Sequence, residues 1–163
     1  MTADAHELKP SDRVWQRKAA TQMTTSRILL AEDDDEMRQL LAEAFRHDGY
    51  RVTECSDGGD FLRCLESFIL SERPLDFEVI VSDIRMPGIT GLEILQELHR
   101  CKGFPPMILI TAFGDDESHA QAKAFGAAGF FDKPFEIDDL LATVHEIAPS
   151  SVSFDEQRAR ARE

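Results

Sequence analysis

Apolar and polar residues alternate along this chain in two rhythms that take turns. Short runs that are almost continuously apolar, Arg27 to Ala31, Arg51 to Cys55, Phe77 to Ser82, Met107 to Thr111 and Gly129 to Asp132, read as strands, several of them buried on both faces. A segment of helical period follows each. The first is the clearest: Met37, Leu40, Leu41, Ala44 and Phe45 recur at the spacing of one helix face, and Gly49 closes the segment in a position suited to a left-handed cap. Phe61, Leu65, Phe68 and Ile69 mark the second helix, Leu92, Leu95 and Leu98 the third, and Ile137, Leu140, Leu141 and Val144 the fifth. The fourth, about Asp115 to Phe125, offers only Ala120, Ala124 and Phe125 as an inner face and should be loosely held, either because Ala simply favours helix or because the helix shifts in use.

Five strand–helix repeats of this length predict an α/β fold, a flavodoxin-like doubly wound parallel sheet of five strands in the order 2-1-3-4-5 with five helices. With 163 residues there is room for one such domain with tails. We expect a flexible extension over 1–25, in which a short helix around Trp15 would fit, the folded domain over 26–148, and a tail or truncated linker over 149–163. No signal peptide or membrane-length apolar run is present, so the expected location is cytoplasmic, away from membranes.

Composition removes other classes. Lys and Arg number 18 against 31 Asp and Glu, a formal net charge of -13, which argues against direct nucleic-acid binding. Cys55, Cys64 and Cys101 are odd in number and lack the spacing of a zinc site; they read as reduced, partly buried core residues rather than a disulfide framework.

In a doubly wound sheet the ligand crevice lies at the carboxyl ends of the strands. There the chain places Glu32-Asp33-Asp34-Asp35-Glu36 after the first strand, Asp83 after the third, Thr111 at the end of the fourth, and Lys133-Pro134 after the fifth. One acid can cap a helix, but five exceed that need. Glu32, Asp33 and Asp83 brought together would repel, and one Lys cannot neutralise three carboxylates, so a divalent cation is called for. All-oxygen donors suit Mg²⁺ rather than zinc. A cation, a carboxylate, a lysine and a hydroxyl together equip a site for phosphoryl transfer, with Asp83 as nucleophile and with Lys133 and Thr111 on the transferred oxygens.

These motifs resemble the receiver domains of two-component response regulators. The likeness covers about Ser26 to Ala148 and rests on Ile28-Leu29-Leu30-Ala31-Glu32-Asp33-Asp34, Val79-Ile80-Val81-Ser82-Asp83-Ile84-Arg85-Met86-Pro87-Gly88, Ile110-Thr111-Ala112 and Lys133-Pro134-Phe135. The resemblance implies that Asp83 is the phosphoacceptor. It implies that Asp33 and Asp83 ligate Mg²⁺ with the Arg85 backbone carbonyl, that Glu32 acts through water, and that Asp34 and Asp35 are left to capping. It further implies a cis peptide between Lys133 and Pro134, movement of Thr111 on activation, and an inward turn of the aromatic at Phe130, where the family often has Tyr. Arg85 and Phe113, two residues past Asp83 and Thr111, should hinder water and lengthen the life of the phosphoryl group.

On this reading the partners are a sensor histidine kinase or histidine phosphotransfer protein and a downstream protein or output domain. A dimer through the fourth-helix to fifth-helix face is a further expectation. The module catalyses only its own phosphorylation and dephosphorylation. Two alternatives are weighed. A haloacid-dehalogenase-type hydrolase would need a second Asp where Arg85 stands, and a flavodoxin-like binder would need a phosphate loop where the acidic run stands.

Overall fold

The computed structural model describes residues 25–71 and 75–150, without the side chains of residues 67, 68 and 71. The extension expected over 1–25 lies almost wholly outside the described residues, as does the tail beyond Ser150. So does the side chain of Phe68.

Five strands, β1 (Arg27–Ala31), β2 (Arg51–Cys55), β3 (Val79–Asp83), β4 (Met107–Thr111) and β5 (Gly129–Asp132), alternate with α1 (Asp35–His47), α2 (Gly58–Ser71), α3 (Gly91–Leu98), α4 (Asp116–Ala124) and α5 (Ile137–Ile147). All pairings are parallel and the order is β2-β1-β3-β4-β5, as the repeat pattern predicts. Successive side chains leave a strand on opposite faces. Ile28 and Leu30 therefore join Val79, Val81, Ile108 and Ile110 under α1 and α5, where Leu41, Phe45, Leu140 and Val144 complete one core. Leu29, Ile80, Met107 and Leu109 face the other way, onto Phe61 and Leu65 of α2 and Ile94, Leu95 and Leu98 of α3.

Local chemistry sets the helix ends. Asp34 caps α1 by accepting from the Met37 amide at 2.8 Å, with Asp35 and Glu36 in the first turn and Arg46 and His47 in the last, each sign where the helix dipole favours it. Gly49 follows with φ 87°, a left-handed conformation that suits glycine. Thr90 and Glu93 form a reciprocal capping box that starts α3 at Gly91.

Five readings of the sequence are corrected. Strand β3 starts at Val79 rather than Phe77 and runs through Asp83, because Asp83 itself pairs with Ile110 of β4. In α1 the buried face is Leu41, Ala42 and Phe45, and Leu40 is 49% exposed on its flank; in α2, Ile69 is 52% exposed. In α4 the buried residue is Ala122, with Phe125 partly buried below it, while Ala120 and Ala124 point outward. A helix whose apolar residues are mostly Ala leaves its rotational phase to one or two larger neighbours, here Phe125. Finally, Cys101 is exposed; Cys55 is buried and Cys64 half-buried. Leu40→Ser is accordingly expected to change unfolding free energy by less than about 0.5 kcal/mol in urea titration, far from the cost of an apolar core position.

Candidate functional site

The carboxyl ends of β1, β3, β4 and β5 bring the acidic residues and the lysine together. Glu32 follows β1 and is 1% exposed, held by its amide donating to the Cys55 carbonyl at the end of β2 (3.1 Å) and by the Arg38 guanidinium donating to its own carbonyl (2.8 Å). Asp83 ends β3 and is 6% exposed; its Oδ1 accepts from the Arg85 amide at 2.9 Å. Lys133 Nζ donates to Glu32 Oε2 at 2.7 Å and to Asp83 Oδ2 at 2.9 Å. One ammonium thus bridges two buried carboxylates.

Asp33, exposed beside them, completes a group in which ligand atoms of Glu32, Asp33 and Asp83 all lie within 4.8 Å of one another. Three carboxylates face one ammonium, so full ionisation would leave two negative charges uncompensated, and the donors are all oxygen. That set fits a hard divalent cation of the Mg²⁺ kind.

Burial, with the Asp83 charge adding to it, pushes the Glu32 carboxyl up to about 7 against the pull of Lys133. Burial alone would weaken the charged form of Lys133, but its bonds to Glu32 and Asp83 outweigh that and hold its pKa above the ordinary value. The ammonium therefore stays charged at neutral pH. Thr111, 1% exposed at the end of β4, accepts from the Phe113 amide at 3.2 Å and keeps its own hydroxyl proton for another acceptor.

The remaining predicted residues lie around this centre. The peptide between Lys133 and Pro134 is cis. The Arg85 guanidinium sits 4.7 Å from the centroid of the Phe113 ring, and Phe113 is 65% exposed, so the two side chains form one surface flap. Phe130 is half-buried and packs on the His119 ring, 3.9 Å between centroids. Asp34 caps α1 and Asp35 pairs with Arg38, outside the acidic group.

Sequence reasoning missed two supports. Arg38 anchors the Glu32 backbone from six positions on, a role only its spacing from the acidic run could have suggested. Gly91 packs against the acidic centre from α3: a Cβ there would lie 2.4 Å from the Asp83 carbonyl oxygen and 2.8 Å from Ser82 Oγ. Gly91→Ala must push back the backbone that carries Asp83, and we expect a loss of about 1–3 kcal/mol, read by urea denaturation.

Residues 28–145 match the response regulator receiver domain family. The chain belongs to that family. This receiver domain is 31% identical over 127 residues to sporulation initiation phosphotransferase F of Bacillus subtilis, covering 78% of this chain and 97% of that protein. It is 40% identical over 119 residues to the C4-dicarboxylate transport transcriptional regulatory protein DctD of Pseudomonas aeruginosa (73% of this chain), and 37% identical over 113 residues to the transcriptional regulatory protein FixJ of Azorhizobium caulinodans (69% of this chain). Of those two longer regulators the receiver spans only 24% and 50%. Among solved structures, the chemotaxis response regulator CheY4 of Vibrio cholerae superposes with a TM-score of 0.64 at 28% identity, over 76% of this chain and 99% of that one. The receiver domain of HemR from Leptospira biflexa gives 0.62 at 28%, over 75% and 93%. Among the described residues of this receiver, no helix is long and apolar enough to cross a membrane.

Proposed function

We propose that this receiver accepts a phosphoryl group on Asp83 from a sensor histidine kinase or histidine phosphotransfer protein, and that the modified surface then changes which downstream protein or output domain it binds. The observation that carries this is the Lys133 ammonium bonded at once to Asp83 and Glu32, next to Asp33. Mg²⁺ would be held by Asp33, Asp83 and the Arg85 carbonyl, with Glu32 acting through water. When bound, it supplies charge neutralisation for the phosphoryl oxygens.

The chain's own residues account for the rest. A carboxylate oxygen of Asp83 attacks phosphorus as the phosphorus–nitrogen bond to the donor histidine breaks, and the departing imidazole nitrogen keeps the bonding electron pair. Lys133 gives up part of its grip on the carboxylates to bind a transferred oxygen, and the Thr111 proton is available to another. The added charge biases the surface formed by α4, β5 and α5, where Phe130 is the aromatic that responds to Thr111. The same surface is where an activated dimer would form. The working unit is 26–148, with 1–25 an extension and 149–163 a tail or linker, acting in the cytoplasm without contact to nucleic acid.

Intact mass after incubation with acetyl phosphate tests the proposal: one added phosphoryl group, mapped to Asp83 and absent when Mg²⁺ is chelated, is the expected result. No adduct from acetyl phosphate or from a panel of histidine kinases would mean that the fold serves phosphate-independent binding.

The Arg85–Phe113 flap leads to a kinetic prediction. Arg85 and Phe113 stand two residues past Asp83 and Thr111, where a guanidinium stacked on a ring would hinder water's in-line approach, so the double substitution Arg85→Ser with Phe113→Ser is expected to shorten the phosphoryl lifetime by about tenfold, equivalent to ~1.4 kcal/mol of barrier. Decay followed by mass after removal of the donor checks it; an unchanged lifetime would rule the flap out as a shield.

A further inference from the structure

Two cysteines meet where the end of β2 lies beside the end of β1. Cys55, fully buried, is the last residue of β2, and Cys64 lies half-buried on α2, nine positions on, with the two Sγ atoms 3.5 Å apart. An S–S bond is about 2.05 Å long, so closure needs the sulfurs to approach by about 1.5 Å. Cys101, on the loop after α3, is exposed and bonds weakly to the Glu97 carbonyl, apart from this pair.

We propose that Cys55 and Cys64 are a redox-active dithiol that closes to a disulfide with hydroperoxides, tying α2 to the end of β2. Cys64, the less buried of the two, reacts first: its thiolate attacks a peroxide oxygen, the O–O bond breaks, and a sulfenic acid forms as hydroxide leaves and takes up a proton. The Cys55 sulfur then attacks the Cys64 sulfur, the S–O bond breaks, and the Cys55 proton departs with that oxygen as water. Two thiols and one hydrogen peroxide thus become one disulfide and two waters. Cys55, wholly buried, is closed to the peroxide and acts only on the oxidised Cys64 sulfur. The closing bond would form next to the acidic site, because the Cys55 carbonyl is the acceptor for the Glu32 amide.

The test uses the full chain carrying Cys101→Ser, so that intermolecular bonding through the exposed thiol cannot intervene. After hydrogen peroxide, then iodoacetamide in denaturant, the expected product has lost two hydrogens, takes up no alkyl group, yields one linked peptide pair containing Cys55 and Cys64, and reverts with dithiothreitol. Adding Cys64→Ala should leave Cys55 unoxidised and alkylatable, with far-UV circular dichroism confirming that this half-exposed position tolerates the change. Oxygen adducts accumulating on Cys64 while Cys55 still alkylates, or two thiols that stay free, would overturn the proposal.

Discussion

Asp83→Asn is expected to take up no phosphoryl group under conditions that modify the wild type completely. A carboxamide lacks the anionic oxygen that attacks phosphorus, yet it has the same shape and can still accept from the Arg85 amide, so the loss is chemical rather than a failure to fold. A second readout separates the two causes. The Asp83 charge helps to push Glu32 up, and removing it relieves that repulsion. In chelator the variant should therefore melt no lower than wild type. In millimolar Mg²⁺ it should gain less, because ligand stabilisation follows RT ln(1 + [L]/Kd) and one ligand has lost its charge. Phosphoryl uptake by Asp83→Asn, seen by intact mass, would move the acceptor elsewhere.

Lys133→Met should lower the rate of phosphoryl uptake by about 10²–10³-fold, the usual cost of removing one preorganised donor from a developing negative charge. It should also destabilise the metal-free protein. Lys133 is 16% exposed and holds two carboxylates that are nearly or fully buried, and a buried charge left without its partner costs about 3–5 kcal/mol. The pH dependence has a definite sign. Glu32 titrates near 7 rather than at the ordinary 4.5, so its burial penalty is absent below the ordinary value and is fully felt above about 7. Stability contributed by neutral Glu32 is lost as pH rises through that window. Removing Lys133 deprives the ionised form of its cation, and the deficit of Lys133→Met relative to wild type should be larger near pH 8 than near pH 5. Urea titrations in chelator at the two pH values check this; a deficit independent of pH would mean that Glu32 is not the group left exposed to the loss.

How much of this was legible beforehand differs from element to element. The βα alternation could be read because strands buried on both faces must be continuously apolar, and Ile28, Leu29 and Leu30 leave no room for another reading. The inner face of α1 was read correctly at Met37, Leu41 and Phe45 but not at its edge: hydrophobicity favours Leu40, while packing against the core selects Ala42. For α4 the pattern of alanines carried almost no phase information. Among the chemical groups, Asp83 and Lys133 stood out because each ends a strand run at the edge where such sheets bind ligands.

By itself the sequence determined the order of elements, the parallel doubly wound topology and the collection of acids, a hydroxyl and a lysine at one end of the sheet, since these follow from periodicity and from the handedness of crossover connections. Only the tertiary structure decided that one lysine binds Glu32, 101 positions away, and Asp83, 50 positions away, at the same time. It also decided that Gly91 is pressed against the Asp83 backbone, that Arg85 stacks on Phe113, and that two cysteines touch. The reason is common to all four. Strand order and helix phase set which distant side chains become neighbours, and a one-residue change in either would leave the composition intact and separate the groups.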